Sequence, residues 1–426
     1  MLNYLTLDPV SSIYGNIHLP GSKSISNRLL LISAIATGKT YLKNLLYSDD
    51  VQCMLYALKS LGINYVINWD KKTCVIQGNK NIFDNNNKLS LFLGNAGTAM
   101  RPLTAVLALQ KREIVLTGDS RMQERPIKDL VDSLRQGGSN IKYMNKKYFP
   151  PICVKGGFVG GDIEINSNIS SQFLTSLLIA APLAKFNTNI VIKNDLTSKP
   201  YVDMTLKIIK DFGVYIKNNN YKSFFIPGNQ QYVSPGKYFI EGDASSASYF
   251  LAAAAIKGKS ICIHGINKNS IQGDIKFLDV LEMMGAKIVW GENCVTCYKG
   301  ILKHVYLDGN NIPDAAMTVA ILALFANDTS KIYNIYNWRV KETDRLHAMS
   351  TELKKIGSIV QEGKDYLYIN PPKKFFHSHI NTYNDHRMAM CFSLLSLSGT
   401  PITIKNPNCV AKTFPKYFTE LLKVSH

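Results

Sequence analysis

The sequence repeats itself about every seventy residues, and this repeat limits the possible folds more than any other feature of the chain. Each repeat opens with small, polar or charged residues, continues into a helix-length stretch rich in apolar residues, and ends in a short turn and a β-branched strand. The six repeats begin at Gly21, Gly94, Ser167, Gly242, Ile312 and Asn384, with spacings of 73, 73, 75, 70 and 72 residues. This pattern predicts an α/β protein built from six similar units, each with one such signature helix.

Further helix patterns lie between the signature helices, and each ends just before a glycine. They cover Asp49–Leu61, Thr197–Phe212, Asp274–Met284 and Lys341–Ile356. Helices of this composition are common in any α/β protein, so it is their even spacing that favours a true repeat. Six units divide most simply into three and three, which predicts two similar domains with a boundary near Pro235–Gly236.

Polar residues stand at the starts of the signature helices. Helix N-termini present unpaired N–H groups and the positive end of the helix dipole, so several of them together make a strong anion site. In the first three repeats the candidate residues are Lys23, Ser24 and Arg28, then Asn95, Gly97, Thr98 and Arg101, then Ser170, Ser171 and Gln172. Arg121 and Arg125 follow the second repeat, and Ser198 and Tyr201 follow the third. Such groups suit a polyhydroxylated anion.

The C-terminal repeats carry the densest set of ionisable residues. The helix of the fifth repeat is predicted to begin at Pro313 and Asp314, and a charged segment follows it. The helix of the sixth repeat is predicted to open on an acid, a histidine and an arginine. The candidate residues are Asp314, Asn337, Arg339, Lys341, Glu342, Arg345, Asp385, His386, Arg387 and Lys412. A solvated charged helix is the alternative interpretation of the segment from Lys341 to Arg345.

The net charge of +18 suggests nucleic-acid binding, but the distribution of the charge argues against it. Only nine of the 49 basic residues are arginines, and the lysines are dispersed rather than grouped in runs with interleaved aromatic residues. Seven of the nine arginines fall in the motifs above: 28, 101, 121, 125, 339, 345 and 387. We therefore expect a compact pocket for small anions. A salt-dependent DNA-binding assay would separate the two interpretations.

Other classes of protein are excluded by simpler observations. No apolar stretch approaches the length of a membrane span, and the first ten residues resemble neither a signal nor a transit peptide. The eight cysteines then predict reduced thiols in the cytoplasm. Cys294 and Cys297 form a single CxxC without a second pair of ligands nearby in the sequence, so we expect an alternating strand there and no metal site.

The motifs together resemble the 5-enolpyruvylshikimate-3-phosphate synthase family over essentially the whole chain. The segments LPGSKSISNR, LFLGNAGTAMRPL, SSQFLTSLL, EGDASSASYFLAAAAIKG, IPDAAMT, NWRVKETDRL, TYNDHRMAM and AKTFP occur in the order typical of that family. Gly97, Thr98 and Pro102 are similar to the bacterial, glyphosate-sensitive type. The resemblance implies the enolpyruvyl transferase fold, with two domains of three βαβαββ-type units each. The domains would comprise residues 22–240, and residues 1–21 with 241–426, with the active site in the cleft between them.

The resemblance also implies an activity. The family transfers the enolpyruvyl group of phosphoenolpyruvate to the 5-hydroxyl of shikimate 3-phosphate and releases phosphate, through a tetrahedral intermediate and without a metal or an organic cofactor. We expect these two small molecules as partners, a monomer, and neither nucleic acid nor a membrane.

Site residues carry over from the family position by position. Shikimate 3-phosphate would be bound by Lys23, Ser24, Arg28, Ser170, Ser171, Gln172, Ser198, Tyr201, Asp314, Asn337 and Lys341. Phosphoenolpyruvate would be bound by Lys23, Gly97, Arg125, Gln172, Arg345, Arg387 and Lys412. Asp314 would take the proton of the 5-hydroxyl, while Glu342 and Lys23 are candidates for proton delivery to the methylene carbon. Supporting residues would be Asn95, Thr98, Asp385 and His386.

A related enzyme class is the closest alternative. UDP-N-acetylglucosamine enolpyruvyl transferase is similar in fold but uses a cysteine on a mobile loop as its acid. Residues 111–126 contain no cysteine, and the SKPY and NDHRMAM segments favour the shikimate enzyme.

Overall fold

The structure is a computed structural model that describes residues 3–79 and 88–426. The chain contacts divide it into two compact units. The first, called here the N-terminal unit, is Gly21–Ile240, and the second, called the C-terminal unit, combines the residues up to Pro20 with Glu241–His426. None of the helices that the structure describes is long and apolar enough to span a membrane.

The strands are short and follow one another in groups along the chain. In chain order they are β1 (Tyr4–Leu7), β2 (Ile13–His18), β3 (Lys39–Lys43), β4 (Asn64–Asn68), β5 (Thr73–Gln77), β6 (Leu89–Phe92), β7 (Ile114–Thr117), β8 (Ile141–Tyr143), β9 (Ile152–Val154), β10 (Gly161–Ile165), β11 (Thr188–Ile192), β12 (Lys217–Asn219), β13 (Ser223–Ile226), β14 (Lys237–Phe239), β15 (Gly258–His264), β16 (Lys287–Trp290), β17 (Cys294–Tyr298), β18 (Tyr306–Asp308), β19 (Ser330–Tyr333), β20 (Ile359–Glu362), β21 (Leu367–Asn370), β22 (Ser378–Ile380) and β23 (Ile402–Lys405).

The helices alternate with these strands. In chain order they are α1 (Lys23–Ile35), α2 (Asp49–Ser60), α3 (Gly97–Leu107), α4 (Lys128–Gln136), α5 (Ser171–Ala180), α6 (Lys199–Asp211), α7 (Ala244–Lys257), α8 (Phe277–Met283), α9 (Ala316–Leu322), α10 (Arg345–Lys355), α11 (His386–Ser393) and α12 (Tyr417–Val424). The signature helices of the six repeats are α1, α3, α5, α7, α9 and α11.

Six small sheets share one plan, which confirms the six-unit α/β prediction. In five of them the strand that follows the signature helix pairs parallel with one neighbour and antiparallel with the other, and a fourth strand extends the antiparallel side. The orders are β14-β3-β5-β4, β6-β7-β9-β8, β10-β11-β13-β12, β2-β15-β17-β16 and β18-β19-β21-β20. The sixth sheet has the order β1-β23-β22.

Two strands exchange places between the first and fourth repeats. β2, which precedes the first signature helix, pairs parallel with β15 after the fourth. β14, which precedes the fourth signature helix, pairs parallel with β3 after the first. The exchange explains why the N-terminal residues belong to the C-terminal unit, and why the N-terminal unit extends beyond Pro235–Gly236 to Ile240.

The signature helices form the core of each unit. In α1 every residue except Ser24 is buried, and in α7 every residue except Lys257 is buried. A helix that is apolar on all sides must be enclosed by other elements, and α3 packs against α1 and α5 while α9 packs against α7 and α11. The polar residues at the starts of these helices are therefore fixed to the most rigid part of each unit.

Three helices in the C-terminal unit start later than the sequence pattern predicts. The helix predicted for Asp274–Met284 begins only at Phe277, because Asp274 lies in a preceding 3₁₀ turn. Pro313 and Asp314 lie in the turn before α9, which begins at Ala316. The predicted helix from Lys341 to Ile356 is wrong in its first turn, because α10 begins only at Arg345. The side chain of Asp344 accepts a hydrogen bond from the backbone N–H of His347 at 3.0 Å and so caps the helix there.

Candidate active site

Lys23 opens α1 and lies beside a short polar chain that links three helix starts. Its Nζ is 3.5 Å from Oδ2 of Asp50, near the start of α2. The Thr98 hydroxyl, near the start of α3, donates to the same carboxylate oxygen at 3.2 Å and accepts from Nδ2 of Asn27 at 3.0 Å. Asp50 holds the buried ammonium group in position, and sequence reasoning missed it because nothing marks this carboxylate apart from its place at a helix start.

Arg28 lies one turn further along α1 and is buried. Its Nε donates to the Thr205 hydroxyl at 2.8 Å, and its Nη1 donates to the backbone carbonyl of Ser24 at 3.0 Å. Burial lowers the pKa of the Arg28 guanidinium to about 10, opposed by the nearby Tyr201. Within residues 3–79 and 88–426, Arg28 has no carboxylate partner. The group is a buried cation whose neighbours are neutral, which is the environment of a binding site for an anion.

Gly97 begins α3 and lies against two arginines. A Cβ atom at this position would stand 2.6 Å from Nη1 of Arg101 and 2.8 Å from Nη2 of Arg125. Arg125 donates from Nη1 to the side-chain oxygen of Asn95 at 2.8 Å and to its backbone carbonyl at 3.1 Å. Only glycine allows both guanidinium groups to come this close to the helix start, so the glycine positions the cations.

Hydroxyl groups stand at two further helix starts of the N-terminal unit. Ser170 caps α5 by accepting a hydrogen bond from the N–H of Gln172 at 3.2 Å, and Ser171 is buried behind it. Ser198 precedes α6 in the left-handed conformation, with φ of 55°, and is also buried. A strained residue of this kind persists only where the surrounding structure fixes it, which is common at ligand sites. Tyr201 lies in the first turn of α6, half-buried.

Arg345 is the centre of the charged residues in the C-terminal unit. Its Nε donates to Asp385 at 2.7 Å, and two other side chains accept from its remaining nitrogens: Asp314 at 3.0 Å and Glu342 at 2.8 Å. Burial alone would lower the pKa of the guanidinium, but the three carboxylates outweigh that effect and raise the pKa above its ordinary value. Arg345 is thus compensated within the protein.

Asp314 joins Arg345 to a second buried arginine. Its Oδ2 accepts from Nη2 of Arg387 at 2.9 Å. Nζ of Lys341 lies 3.9 Å from Oδ1, the oxygen that contacts Arg345. The indole N–H of Trp338 donates to the carbonyl of Pro313 at 2.8 Å and fixes the turn that carries Asp314. Two arginines thus fix the Asp314 carboxyl group in place, and a carboxylate held in this way can accept a proton from a bound ligand.

The remaining members of this group occupy the start of α11 and two nearby turns. Arg387 donates to the hydroxyl of Tyr249 at 3.0 Å, and Asp385 caps α11 by accepting from the N–H of Arg387 at 2.9 Å. His386 is buried next to Asp385, with Nδ1 and Oδ1 3.3 Å apart. Lys412 reaches within 4.0 Å of Glu342. Asn337 is buried in the 3₁₀ turn that also contains Trp338.

Asp274 adds a buried carboxyl group that sequence reasoning missed. It accepts a hydrogen bond from the Ser245 hydroxyl, while its Oδ1 is buried without a hydrogen-bond partner among the described residues. Burial and the negative charge of Asp314 raise its pKa to about 7, against the opposing effects of Arg387 and Ser245. Asp274 lies in a 3₁₀ turn outside the signature helices, so no repeated pattern singled it out.

Two arginines that the motifs suggested for anion binding are engaged differently. Arg339 bonds Asp344 at 2.9 Å and Glu362 at 3.1 Å, and it also donates to two backbone carbonyls. Arg121 is partly exposed and pairs with Glu124 at 3.0 Å. These contacts account for Arg339 as a structural residue that joins the 3₁₀ turn to neighbouring loops.

The site residues thus fall into two groups, one in each unit. The N-terminal cluster is formed by Lys23, Ser24, Arg28, Asn95, Gly97, Thr98, Arg125, Ser170, Ser171, Gln172, Ser198 and Tyr201, with Asp50. The C-terminal cluster is formed by Asp314, Asn337, Lys341, Glu342, Arg345, Asp385, His386, Arg387 and Lys412. The carboxylates that bond Arg345 are engaged with cationic groups and are not arranged as metal ligands. The chemistry available is anion binding together with proton transfer by carboxyl groups and lysine.

Comparisons with known proteins agree on one family. Residues 7–421 match the EPSP synthase family, described as 3-phosphoshikimate 1-carboxyvinyltransferase. The enzyme of that name from Buchnera aphidicola subsp. Cinara cedri is 60% identical over 427 residues, covering 100% of this chain and 98% of that protein. The enzyme from Salmonella paratyphi A is 59% identical over 421 residues and 99% of each chain.

Solved structures agree with the same fold. The EPSP synthase from Acinetobacter baumannii matches with a TM-score of 0.82 and 25% identity, covering 99% of this chain and 98% of that one. The enolpyruvyl transferase NikO from Streptomyces tendae matches with a TM-score of 0.78 at 15% identity, covering 99% and 97%. The six-unit arrangement is therefore the fold shared by these proteins.

Proposed function

Because the chain belongs to the EPSP synthase family, we propose that its two clusters bind the two substrates of that family's reaction. The chain transfers the enolpyruvyl (carboxyvinyl) group of phosphoenolpyruvate to the 5-hydroxyl of shikimate 3-phosphate. The products are 5-enolpyruvylshikimate 3-phosphate and phosphate, and the reaction serves aromatic amino acid biosynthesis. The assignment of individual residues to the two substrates is the subject of the proposal.

Shikimate 3-phosphate binds mainly to the N-terminal cluster in this proposal. The observation that carries it is Arg28, a buried guanidinium group whose described partners are a hydroxyl and a carbonyl oxygen. A phosphate dianion would supply the missing negative charge, and nearby hydroxyl and amide groups would bond the ring hydroxyls. The residues assigned to this substrate are Lys23, Ser24, Arg28, Ser170, Ser171, Gln172, Ser198, Tyr201, Asp314, Asn337 and Lys341.

Phosphoenolpyruvate requires cationic groups for its phosphate and its carboxylate. Arg125 is one such group: it donates to the Asn95 side chain, and the missing side chain of Gly97 leaves room for its guanidinium. Arg345, Arg387 and Lys412 supply others. The residues assigned to this substrate are Lys23, Gly97, Arg125, Gln172, Arg345, Arg387 and Lys412. Holding two mutually repelling anions in contact supplies much of the rate enhancement, because it converts a bimolecular encounter into a positioned reaction.

Asp314 acts as the general base for the substrate hydroxyl. As the 5-hydroxyl oxygen attacks C2 of phosphoenolpyruvate, its proton passes to Asp314, and the methylene carbon takes a proton from Glu342 or Lys23. In the second step the proton movements are reversed: the new methyl group returns a proton to the group that supplied it, the C–O bond to phosphate breaks, and Asp314 gives its proton to the departing phosphate. The contacts of Asp314 with Arg345 and Arg387 support this role because they hold the carboxyl group in one position.

Other residues orient these groups rather than react. Asn95 and Thr98 position Arg125 and Asp50, and Asp385 and His386 form the start of α11 that carries Arg387. The eight free cysteines suit a reducing compartment, which supports a cytoplasmic location. All assigned residues come from one chain, so the proposal requires only a monomer with two domains, 22–240 and 1–21 with 241–426.

Phosphate release tests the proposed reaction directly. Purified full-length protein should release phosphate only when shikimate 3-phosphate and phosphoenolpyruvate are both present. Replacing shikimate 3-phosphate with UDP-N-acetylglucosamine should give none. Absence of release by folded protein with both substrates, or equal release with the nucleotide sugar, would refute the assignment.

A further inference from the structure

Three potential metal ligands meet on the outer face of one sheet in the C-terminal unit. Cys262 and His264 project from β15, and Cys294 projects from the neighbouring strand β17, where it stands opposite His264. The three ligand atoms all lie within 4.8 Å of one another, and each residue is half-buried. None of these residues belongs to the clusters assigned to the substrates.

Strand alternation separates this group from the core. The residues between them on β15 and β17, Ile261, Ile263, Val295 and Cys297, are buried on the inner face. Cys294 and Cys297 therefore point to opposite faces, so the CxxC is a strand, as its sequence predicts. The partners of Cys294 come instead from β15, and only the antiparallel pairing brings them together.

The spacing of Cys262 and His264 matches that of two ligands in a tetrahedral zinc site. The Cys262 Sγ and His264 Nε2 atoms are 3.6 Å apart. In a tetrahedral site with Zn–S near 2.3 Å and Zn–N near 2.0 Å, sulfur and nitrogen are separated by about 3.6 Å. Asn16 on β2 places its side-chain oxygen 3.2 Å from the same nitrogen. The pair Cys262 and His264 thus already stands at ligand spacing.

The surroundings hold the side chains in place. The ring of His18, on β2, stacks on His264 with centroids 4.6 Å apart, which limits rotation of the imidazole. Gly291 lies so close to Cys294 that a Cβ there would be 2.6 Å from the sulfur, so the missing side chain leaves room for the thiol.

We propose that Cys262, His264 and Cys294 bind one Zn²⁺ ion, with the fourth position taken by the Asn16 carbonyl oxygen or by water. Two thiolates and a neutral imidazole are the ligands that Zn²⁺ prefers, and binding would release the two thiol protons to solvent. The ion would join β2, β15 and β17 on the face opposite the core. Its role is structural, and the proposal does not depend on the assignment of substrate residues.

Metal binding by the whole protein tests this site. Untagged full-length protein, reduced and treated with a chelator, is titrated with Co²⁺ as a spectroscopic probe and then with Zn²⁺ against a chromogenic chelator. We expect one Co²⁺ per chain, with the intense ligand-field bands of a tetrahedral site and a thiolate-to-cobalt charge-transfer band, displaced by Zn²⁺.

Single substitutions locate the ion. Cys262→Ser and Cys294→Ser should remove the charge-transfer intensity of one thiolate and weaken Zn²⁺ binding at least about tenfold, and His264→Asn should weaken it similarly. Cys409→Ser, another half-buried cysteine of this unit, is the matched control and should bind as the wild type does. Unchanged binding in Cys262→Ser and Cys294→Ser, or no binding by folded wild-type protein, would overturn the proposal.

Thermal unfolding gives a second readout that does not depend on spectra. Zn²⁺ should raise the melting temperature of the wild type and of Cys409→Ser, because a ligand that binds only the folded state stabilises it. The melting temperature of Cys294→Ser should not respond. If mass measurement after alkylation shows that Cys262 and Cys294 stay joined in a disulfide despite the reductant, the two thiolate ligands do not form and the proposal is wrong. Saturated turnover should be the same with and without Zn²⁺.

Discussion

Arg28 and Arg345 are both buried guanidinium groups near helix starts, but they differ in what surrounds them. Arg345 contacts three carboxylates, whereas Arg28 donates to a hydroxyl and a backbone carbonyl. The pKa shifts follow this difference: burial lowers the pKa of Arg28 to about 10, while the carboxylates raise that of Arg345. Arg345 is neutralised by carboxylates of its own cluster, whereas Arg28 leaves a positive charge for a ligand to neutralise.

The comparison suggests a division of work between the two units. An uncompensated buried cation is destabilising on its own, so a site that keeps one gains strongly when an anion binds. A cation surrounded by carboxylates offers less to an incoming anion, but the carboxylates it orients are available for proton transfer. On this view the N-terminal cluster contributes mainly affinity, and the C-terminal cluster contributes mainly chemistry.

The largest expected effect concerns the chemical role of the C-terminal cluster. Asp314→Asn should lower kcat by about a thousandfold, because the amide cannot accept the hydroxyl proton. Phosphate release at saturating substrate gives kcat, and circular dichroism checks the fold. Asp308→Asn is the matched control in the same unit and should stay within a few-fold of the wild type. Near-normal turnover in Asp314→Asn would remove the proposed difference between the clusters.

The second prediction concerns the negative charge already present in the C-terminal cluster. The pKa of Asp274 is raised to about 7, well above the ordinary 3.8, by burial and by Asp314. Because the pKa of Asp274 is higher in the folded state than in the unfolded state, its contribution to stability is fully present below pH 3.8. That contribution is lost as the pH rises toward 7, the pKa in the folded state. The decline in the free energy of unfolding would approach about 4 kcal/mol, from three pH units at about 1.4 kcal/mol each.

Asp274→Asn tests this linkage because an amide cannot ionise. The variant should lose that decline and should be more stable than the wild type at pH 8, as measured by urea unfolding at a series of pH values. Asp279→Asn changes an exposed carboxyl group nearby and should retain the wild-type profile. Parallel profiles for Asp274→Asn and the wild type would show that the cluster does not hold Asp274 in its neutral form.

The third prediction tests how the N-terminal cluster positions Arg125. In Gly97→Ala the new methyl group would overlap Arg101 and Arg125, so one or both guanidinium groups must move. We expect the KM for phosphoenolpyruvate to rise about tenfold, with the KM for shikimate 3-phosphate nearly unchanged. Circular dichroism and the melting temperature of Gly97→Ala check that the fold is retained. Equal effects on the two KM values would contradict the assignment of Arg125.

The smallest expected effect separates a hydroxyl from the backbone that carries it. Ser198→Gly and Ser198→Ala both remove the hydroxyl and should raise the KM for shikimate 3-phosphate a few-fold, since one hydrogen bond contributes about 1 kcal/mol. Only glycine relieves the left-handed backbone, so Ser198→Gly should melt at a higher temperature than Ser198→Ala. The opposite order of melting temperatures would show that the backbone there is not strained.

The fold was largely predictable because the repeat fixed both the period and the positions of the signature helices. The repeat alone did not predict the pairing of β2 with β15 or of β14 with β3. Only the family resemblance placed the first residues of the chain with the C-terminal domain. The start of α10 was predicted too early, at Lys341, because the charged segment there has helical composition. The side chain of Asp344 caps the helix, which therefore begins at Arg345.

The site was predictable where a residue belongs to a motif at a helix start, as Lys23 and Arg387 do. Asp50 and Asp274 could not be found in this way, because their importance comes from contacts made only in the folded chain. The same reason hid the ligand group on the outer sheet face. In the sequence, the CxxC pairs Cys294 with Cys297, which faces the core. In the fold, the antiparallel pairing of β15 and β17 brings Cys294 next to Cys262 and His264 instead.

The most direct test of the division between the clusters is the binding of shikimate 3-phosphate alone. Isothermal titration without phosphoenolpyruvate should show affinity about a hundredfold weaker in Arg28→Gln, because a charge-assisted contact with the phosphate is lost. Lys412→Gln, in the C-terminal cluster, should bind shikimate 3-phosphate within about threefold of the wild type. Unchanged binding in Arg28→Gln together with a large loss in Lys412→Gln would contradict the account.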